Sequence, residues 1–142
     1  MSLPTYAEKF AAMLSAVFPE LGLSAPPDRY ELEQRRCFSF QVPCPSAAVS
    51  TPLSVAVTEK EVTVEWLGAS VHFTNPQEAV VQIQALFEES AVVDTWYSGP
   101  YPKDRAFVSP RHSPNAPLGM RGVTRIERRS WKGTHDLNEK VT

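Results

Sequence analysis

Leu53 to Trp66 reads LSVAVTEKEVTVEW, and the alternation in this stretch decides the fold class. Val55 and Val57 fall on one side of its first half, and Val62, Val64 and Trp66 on one side of its second. Side chains along a strand point to alternate faces, so the pattern predicts two strands, each with one apolar face. Glu61 and Glu65 fall on the opposite side, as expected of a sheet with one face in water. The polar Glu59-Lys60 step predicts a hairpin turn between them. Further strands are expected in the second half of residues 30–42, stopped by Pro43 and Pro45, and over 70–73, 91–97, 105–108 and 123–131.

Two helices are expected around these strands. In the first, Thr5 and Glu8 have capping-box spacing. Tyr6, Phe10, Met13, Val17 and Leu21 recur near a helical period, Leu14 and Phe18 widen the stripe, and Pro19 and Gly22 bound its end. The second has Asn75 as cap, Pro76 in the first turn and Glu78 three residues after the cap. Ala79, Val80, Ile83, Leu86 and Phe87 form its apolar stripe, with Gln77, Gln82, Gln84 and Glu88 turned to water. Most links between strands are too short for parallel crossovers. The expected fold is therefore α+β, a single domain over residues 1–142. It has one largely antiparallel sheet with two helices packed on one face.

A chain of 142 residues can bury roughly two thirds of its unfolded surface, enough for a core without staples. Ten of the 13 prolines gather at 26–27, 43–52 and 100–117, which reads as loops. The beginning, MSLPTYAEKF, lacks the basic and apolar regions of a signal peptide. No run approaches the ~18 apolar residues of a membrane span. The expected location is a bacterial cytosol, with no membrane partner. Cys37 and Cys44 do not form a CxxC pair, so they are expected to be buried thiols rather than zinc ligands. The net charge of −2 is unevenly divided: residues 1–102 carry −7 and residues 103–142 carry +5. Such a division can mark a partner surface.

The candidates for chemistry are few. His72, His112 and His135 are the only histidines, and no H-E-x-x-H zinc motif is present. His135 and Asp136 are adjacent, which gives no base-and-orienter relay, and no Gly-x-Ser-x-Gly elbow occurs. His72, before the second helix, is expected to hydrogen-bond a loop carbonyl. Glu88 and Glu89, read as neighbours on a helix, would diverge by about 100° and make a poor carboxylate pair. Gly99, Gly119, Gly122 and Gly133 are isolated, so there is no phosphate-cradling loop. No catalytic residue, metal ligand or cofactor is expected, and the chain is not expected to be an enzyme.

Arg125 to Asp136, RIERRSWKGTHD, holds three arginines, one lysine, a tryptophan and a His-Asp pair. In a strand, Arg125, Glu127, Arg129 and Trp131 would share one face, and Thr124, Ile126, Arg128 and Ser130 the other. Cations beside an aromatic could bind nucleic acid. The chain as a whole is acidic, with pI near 5.9, unlike the basic footprint of such proteins. The arginines are expected instead to pair with Glu61, Glu65 or Asp94, and Trp131 to be buried.

The order of pieces over about half the chain resembles small immunity proteins linked to bacterial polymorphic toxins. A strand VTVEW (62–66) leads to SVHF (70–73), then to a helix ending ALFEES (85–90), a strand VVDTWYSG (92–99) and a closing RSWKGTHD (129–136). The chain departs from that pattern around SVHF, where Ser70 and Thr74 leave His72 alone. The resemblance implies a protein that binds and neutralises a cognate toxin domain, such as a basic nuclease, as a monomer or dimer. Glu59, Glu61 and Glu65 are the expected acidic contacts, with Trp96, Tyr97 and Tyr101 as aromatic anchors beside the 109–122 loop. A small-ligand or peptide-binding module, and then a small hydrolase using His72 or His135 with Asp94 or Asp136, are the alternatives.

Overall fold

The computed structural model describes Phe10 and residues 12–14, 16–17, 28–32, 35–58 and 60–141, with the backbone course alone over 28–38. The strands are β1 (Asp28–Leu32), β2 (Arg35–Val42), β3 (Leu53–Val57), β4 (Val62–Trp66), β5 (Ala69–Phe73), β6 (Val92–Ser98), β7 (Tyr101–Val108), β8 (Arg125–Arg129) and β9 (Leu137–Lys140). A helix, Pro76–Phe87, separates β5 from β6. The architecture is α+β and mostly strand, and every strand pairing is antiparallel.

The LSVAVTEKEVTVEW stretch forms the expected hairpin, with Val55 opposite Val64 and Val57 opposite Val62. The Thr58 hydroxyl ties its turn by accepting from the Lys60 and Glu61 backbone N–H groups at 3.2 and 3.1 Å. Leu53, Val55, Val57, Val62, Val64 and Trp66 are all fully buried. The next turn has Leu67 at φ 54° and Gly68 at φ 85°, the two positive φ angles a tight two-residue hairpin requires. The exposed Arg105 side chain of β7 lies over Gly68, where a Cβ would make its flexible end shift. The helix begins as expected, with Asn75 Oδ1 accepting from the Gln77 N–H at 2.9 Å. It lays Ala79, Val80, Ile83 and Leu86 against β4 and β5.

Among the described residues the strands form two sheets rather than the one expected. One runs β1-β2-β3-β4-β5 and the other β7-β6-β8-β9. The reason lies in β6, where Val92 to Trp96 are buried in succession. A strand covered on both faces carries no alternation to say which neighbours it takes. Its neighbours are β7 and β8, with a register shift between Trp96 and Tyr97 where β7 carries an extra residue. One core joins the sheets, since Val93 and Trp131 belong to the same cluster as Val55, Val64, Trp66 and Ile83.

Other boundaries also differ. Residues 28–42 form a strand pair rather than a single late strand, and β9 has no counterpart among the expected elements. Of the first expected helix, Phe10, 12–14 and 16–17 are helical. Phe10 and Leu14 are fully buried while Met13 and Val17 are exposed, so the inward stripe centres on the first pair rather than running through Met13 and Val17. The caps and the rest of that helix, with Tyr6, Phe18 and Leu21, lie outside the described residues, as does its packing on the same face as the second.

Candidate functional site

The closing RSWKGTHD segment is a turn tied to itself and to the end of the helix. Asp136 Oδ1 accepts from the Ser130 N–H at 2.8 Å, Asp136 Oδ2 from Arg129 Nη1 at 3.1 Å, and Ser130 Oγ from the His135 N–H at 2.9 Å. Glu89 closes the turn from outside. Its carboxylate accepts from the Lys132 and Thr134 N–H groups, both at 3.2 Å, and from the Thr134 hydroxyl at 2.7 Å. Glu89 reaches there because the helix has stopped. Glu88 caps it and Glu89 takes a left-handed φ of 61°, so the two acids are not successive helical positions as expected. Above the turn Trp131 meets Phe87 and Trp66, with ring centroids 4.9 and 5.4 Å away. The two motif stretches ALFEES and RSWKGTHD thus touch, and their polar groups are engaged in one structural clamp.

Burial pushes the Glu89 carboxyl upward in pKa, but the hydrogen bonds of Ser130, Thr134 and Lys132 outweigh it and hold the carboxyl below its ordinary range. A depressed folded pKa means that the stabilisation is complete above the unfolded value, about 4.3, and is lost as pH falls through the folded one. Glu89→Gln is therefore expected to flatten the acid limb of stability below about pH 4.3, as read by urea unfolding at a series of pH values. Wild-type and variant curves running parallel there would contradict the clamp.

A second set of engaged groups lies under the 109–122 loop. Arg128 and Asp94 form a forked pair at 2.7 and 2.9 Å, and each side chain is 4 % exposed. The Asp94 hydrogen bond raises the Arg128 pKa further despite burial. The same guanidinium donates to the carbonyls of Pro110 at 3.2 Å and His112 at 2.9 Å. The Trp96 indole N–H donates to the Asn115 carbonyl at 3.0 Å. Of the three expected carboxylate partners for the arginines, Asp94 is the one used by Arg128. Arg125 and Arg129 both approach Glu127, at 3.4 and 3.5 Å, and burial of Arg129 is outweighed by Asp136 and Glu127, which raise its pKa.

The exposed candidate surface is the outer face of the five-stranded sheet. Ser54 stands opposite Glu65, Glu65 opposite Ser70, and Thr63 opposite His72. His72 Nδ1 lies 2.8 Å from Thr63 Oγ1 and 3.8 Å from a Glu61 carboxylate oxygen, not on a loop carbonyl as expected. Ser39, Gln41, Ser54, Ala56, Thr63 and Glu65 line a shallow depression of about 180 Å³ on this face.

The expected contact residues fall into two groups that the fold does not bring onto one strand face. Glu65 belongs to the five-stranded sheet, on its wet side, Glu61 directly precedes β4, and Glu59 lies outside the described residues. Trp96, Tyr97 and Tyr101 belong to the four-stranded sheet. Trp96 is 5 % exposed and roofed by the loop, so it serves as the loop's mount. Tyr97 is half-buried with the Arg125 guanidinium 4.0 Å above its ring, and Tyr101 is exposed. Cys44 is a half-buried free thiol that donates to the Trp131 carbonyl at 3.3 Å, and burial pushes its pKa up. The Cys37 side chain lies outside the described residues. Among the described residues there is no cluster of three metal-binding side chains and no helix long and apolar enough to cross a membrane. Comparison with protein-family models, curated proteins and solved structures gives no match.

Proposed function

We propose that this chain is an immunity-type protein that neutralises a cognate bacterial toxin domain by stoichiometric binding. The observation that carries the reading is the division of its polar groups. Glu89, Asp94 and Asp136, the carboxylates that could have served a reaction, are engaged in holding turns and loops. One surface left open is the outer face of the five-stranded sheet, bearing Glu65, Ser70 and His72, with Glu61 at its margin. A face of this kind suits contact with a protein. Its acids lie within residues 1–102, which carry −7, and this suits a cationic partner such as a basic nuclease. The hydrolase alternative would draw on His72 or His135 with Asp94 or Asp136, of which Asp94 is held by Arg128 and Asp136 by the Ser130 N–H and Arg129. The shallow depression on the sheet face favours the peptide-binding module as second reading.

Co-expression with a toxin domain encoded beside this chain is expected to restore growth, and the two should co-elute as a stoichiometric complex on gel filtration. No rescue and no complex would reject the reading. A short peptide that displaced the toxin from the sheet face would favour the second. Glu61→Lys with Glu65→Lys is expected to slow association about tenfold at low salt, with the difference shrinking as salt rises. Surface changes of this kind should leave the melting temperature nearly unchanged. An unaltered on-rate, measured by stopped flow, would remove the acidic face from the contact.

A further inference from the structure

Leu118 is more exposed than any other large apolar residue described, at 107 % of its reference area. A lone exposed leucine is ordinary on a protein surface. The mounting of this one is not. It occupies the second position of a tight turn, Pro117 to Met120, closed by the Met120 N–H donating to the Pro117 carbonyl at 3.0 Å. Gly119 follows at φ 87°, the angle a type II turn requires in its third position. Three strands then pin the loop by its backbone carbonyls. Arg128 of β8 holds Pro110 and His112, Trp96 of β6 holds Asn115, and Lys103 of β7 holds Arg121. Pro114 and Pro117 restrict the chain between the pins.

A loop fixed at both flanks and at its middle, with an apolar side chain at its tip, has met its ordering cost before any partner arrives. We propose that the 109–122 loop is a rigid plug whose Leu118 enters an apolar pocket on a protein partner rimmed by carboxylates. The rim follows from charge. The loop carries Arg111, Arg121 and His112 and no acidic residue, and both arginines are exposed. A membrane surface is the weaker fit, because a single leucine gives little insertion energy and stable anchoring takes larger apolar signals. The plug rests on the immunity reading, since it gives the toxin domain a second contact. Acids on the five-stranded sheet and cations on this loop call for a partner with charge of both signs, placed in mirror fashion.

The test uses the toxin domain that the chain neutralises in growth rescue. Leu118→Asp is expected to weaken its Kd about 30-fold or more, mainly through faster dissociation, while Leu118→Met stays within about threefold. Arg111→Ala with Arg121→Ala should slow association several-fold. Circular dichroism and melting of Leu118→Asp should match wild type. Equal Kd values for wild type and Leu118→Asp would overturn the plug and leave the immunity reading standing. Failure of the wild type to bind would overturn both. Binding to phosphatidylcholine vesicles containing phosphatidylserine that Leu118→Asp abolishes, with toxin affinity unchanged, would replace the protein pocket by a lipid surface.

Discussion

Trp131→Ala is expected to cost about 3–5 kcal/mol of folding stability, the range for truncating a buried tryptophan. Trp131 is 5 % exposed and forms the contact between the helix end, the five-stranded sheet and the closing turn. Its ring lies edge-on to Trp66 at an interplanar angle of 66° and tilted by 32° to Phe87. Aromatic contacts of this kind add to the area buried. Removing the indole leaves a cavity lined by Trp66 and Phe87, and it unseats a turn whose backbone also meets Glu89 and Cys44. Trp131→Phe should cost less, because part of the volume and the ring contact survive. Urea unfolding with near-ultraviolet circular dichroism reads both. A loss below about 1 kcal/mol for the alanine variant would mean the site collapses freely and is no keystone.

Arg128→Ala is expected to be of similar size, about 3–5 kcal/mol, for a different reason. The pair is nearly dry, with each side chain 4 % exposed, so removing the cation strands the Asp94 carboxylate where water does not reach it. It also frees the carbonyls of Pro110 and His112. Asp94→Ala leaves the guanidinium uncompensated and should be comparably damaging. The double replacement Asp94→Leu with Arg128→Met should recover much of the loss, because an apolar pair of matching volume needs no desolvation of charge. The loop gives a second readout: limited proteolysis within 109–122 should be faster in Arg128→Ala at temperatures where the variant is still folded. A double variant as unstable as the singles would assign the effect to the loop bonds rather than to the stranded charge.

Arg125 and Arg129, half-buried on the same strand, offer a contrast. Their side chains are 29 and 30 % exposed, against 4 % for Arg128, and share Glu127. Solvent screens pairs that water still reaches, so each is worth about 1 kcal/mol, well below the cost of breaking the dry pair.

That contrast marks how far the sequence could be read. Period-two alternation separates Arg128 from Arg125 and Arg129, but it groups Trp131 with the latter two, and Trp131 is buried because it lies past the end of β8 in the closing turn. Neither face of RIERR is apolar, however, so nothing in the stretch itself says which face is buried. Asp94 decides it, and Asp94 is 34 residues away. Local patterns were legible wherever one face meets water: the β3–β4 hairpin and the Asn75-capped helix came through with nearly their observed bounds. They failed where the pattern is absent. LNEK in β9 holds one apolar residue, and Val92 to Trp96 is buried on both sides, so neither the extra strand nor the second sheet announces itself. The clamp was hidden for a related reason. Glu89 acts through a left-handed backbone angle at a helix end, a feature that paired acids on a helical wheel do not express. Of the surface, Glu65 stands on the wet side as its alternation with Val64 implies. Trp96 is covered because a loop, whose path no periodicity encodes, is pinned over it.

Strand β7 has one further consequence. It ends the strand order of the four-stranded sheet, is among the two longest strands described, and passes close to β5 of the other sheet; a long unpaired edge invites strands from other molecules to add on. Its exposed half reads Tyr101-Pro-Lys-Asp-Arg105 and contains the register shift opposite Trp96 and Tyr97. Proline offers no N–H to an incoming strand, the irregularity spoils the repeat such a strand would follow, and three consecutive charges would have to be stripped of water. Fibril growth and edge-to-edge aggregation are thereby discouraged along this strand.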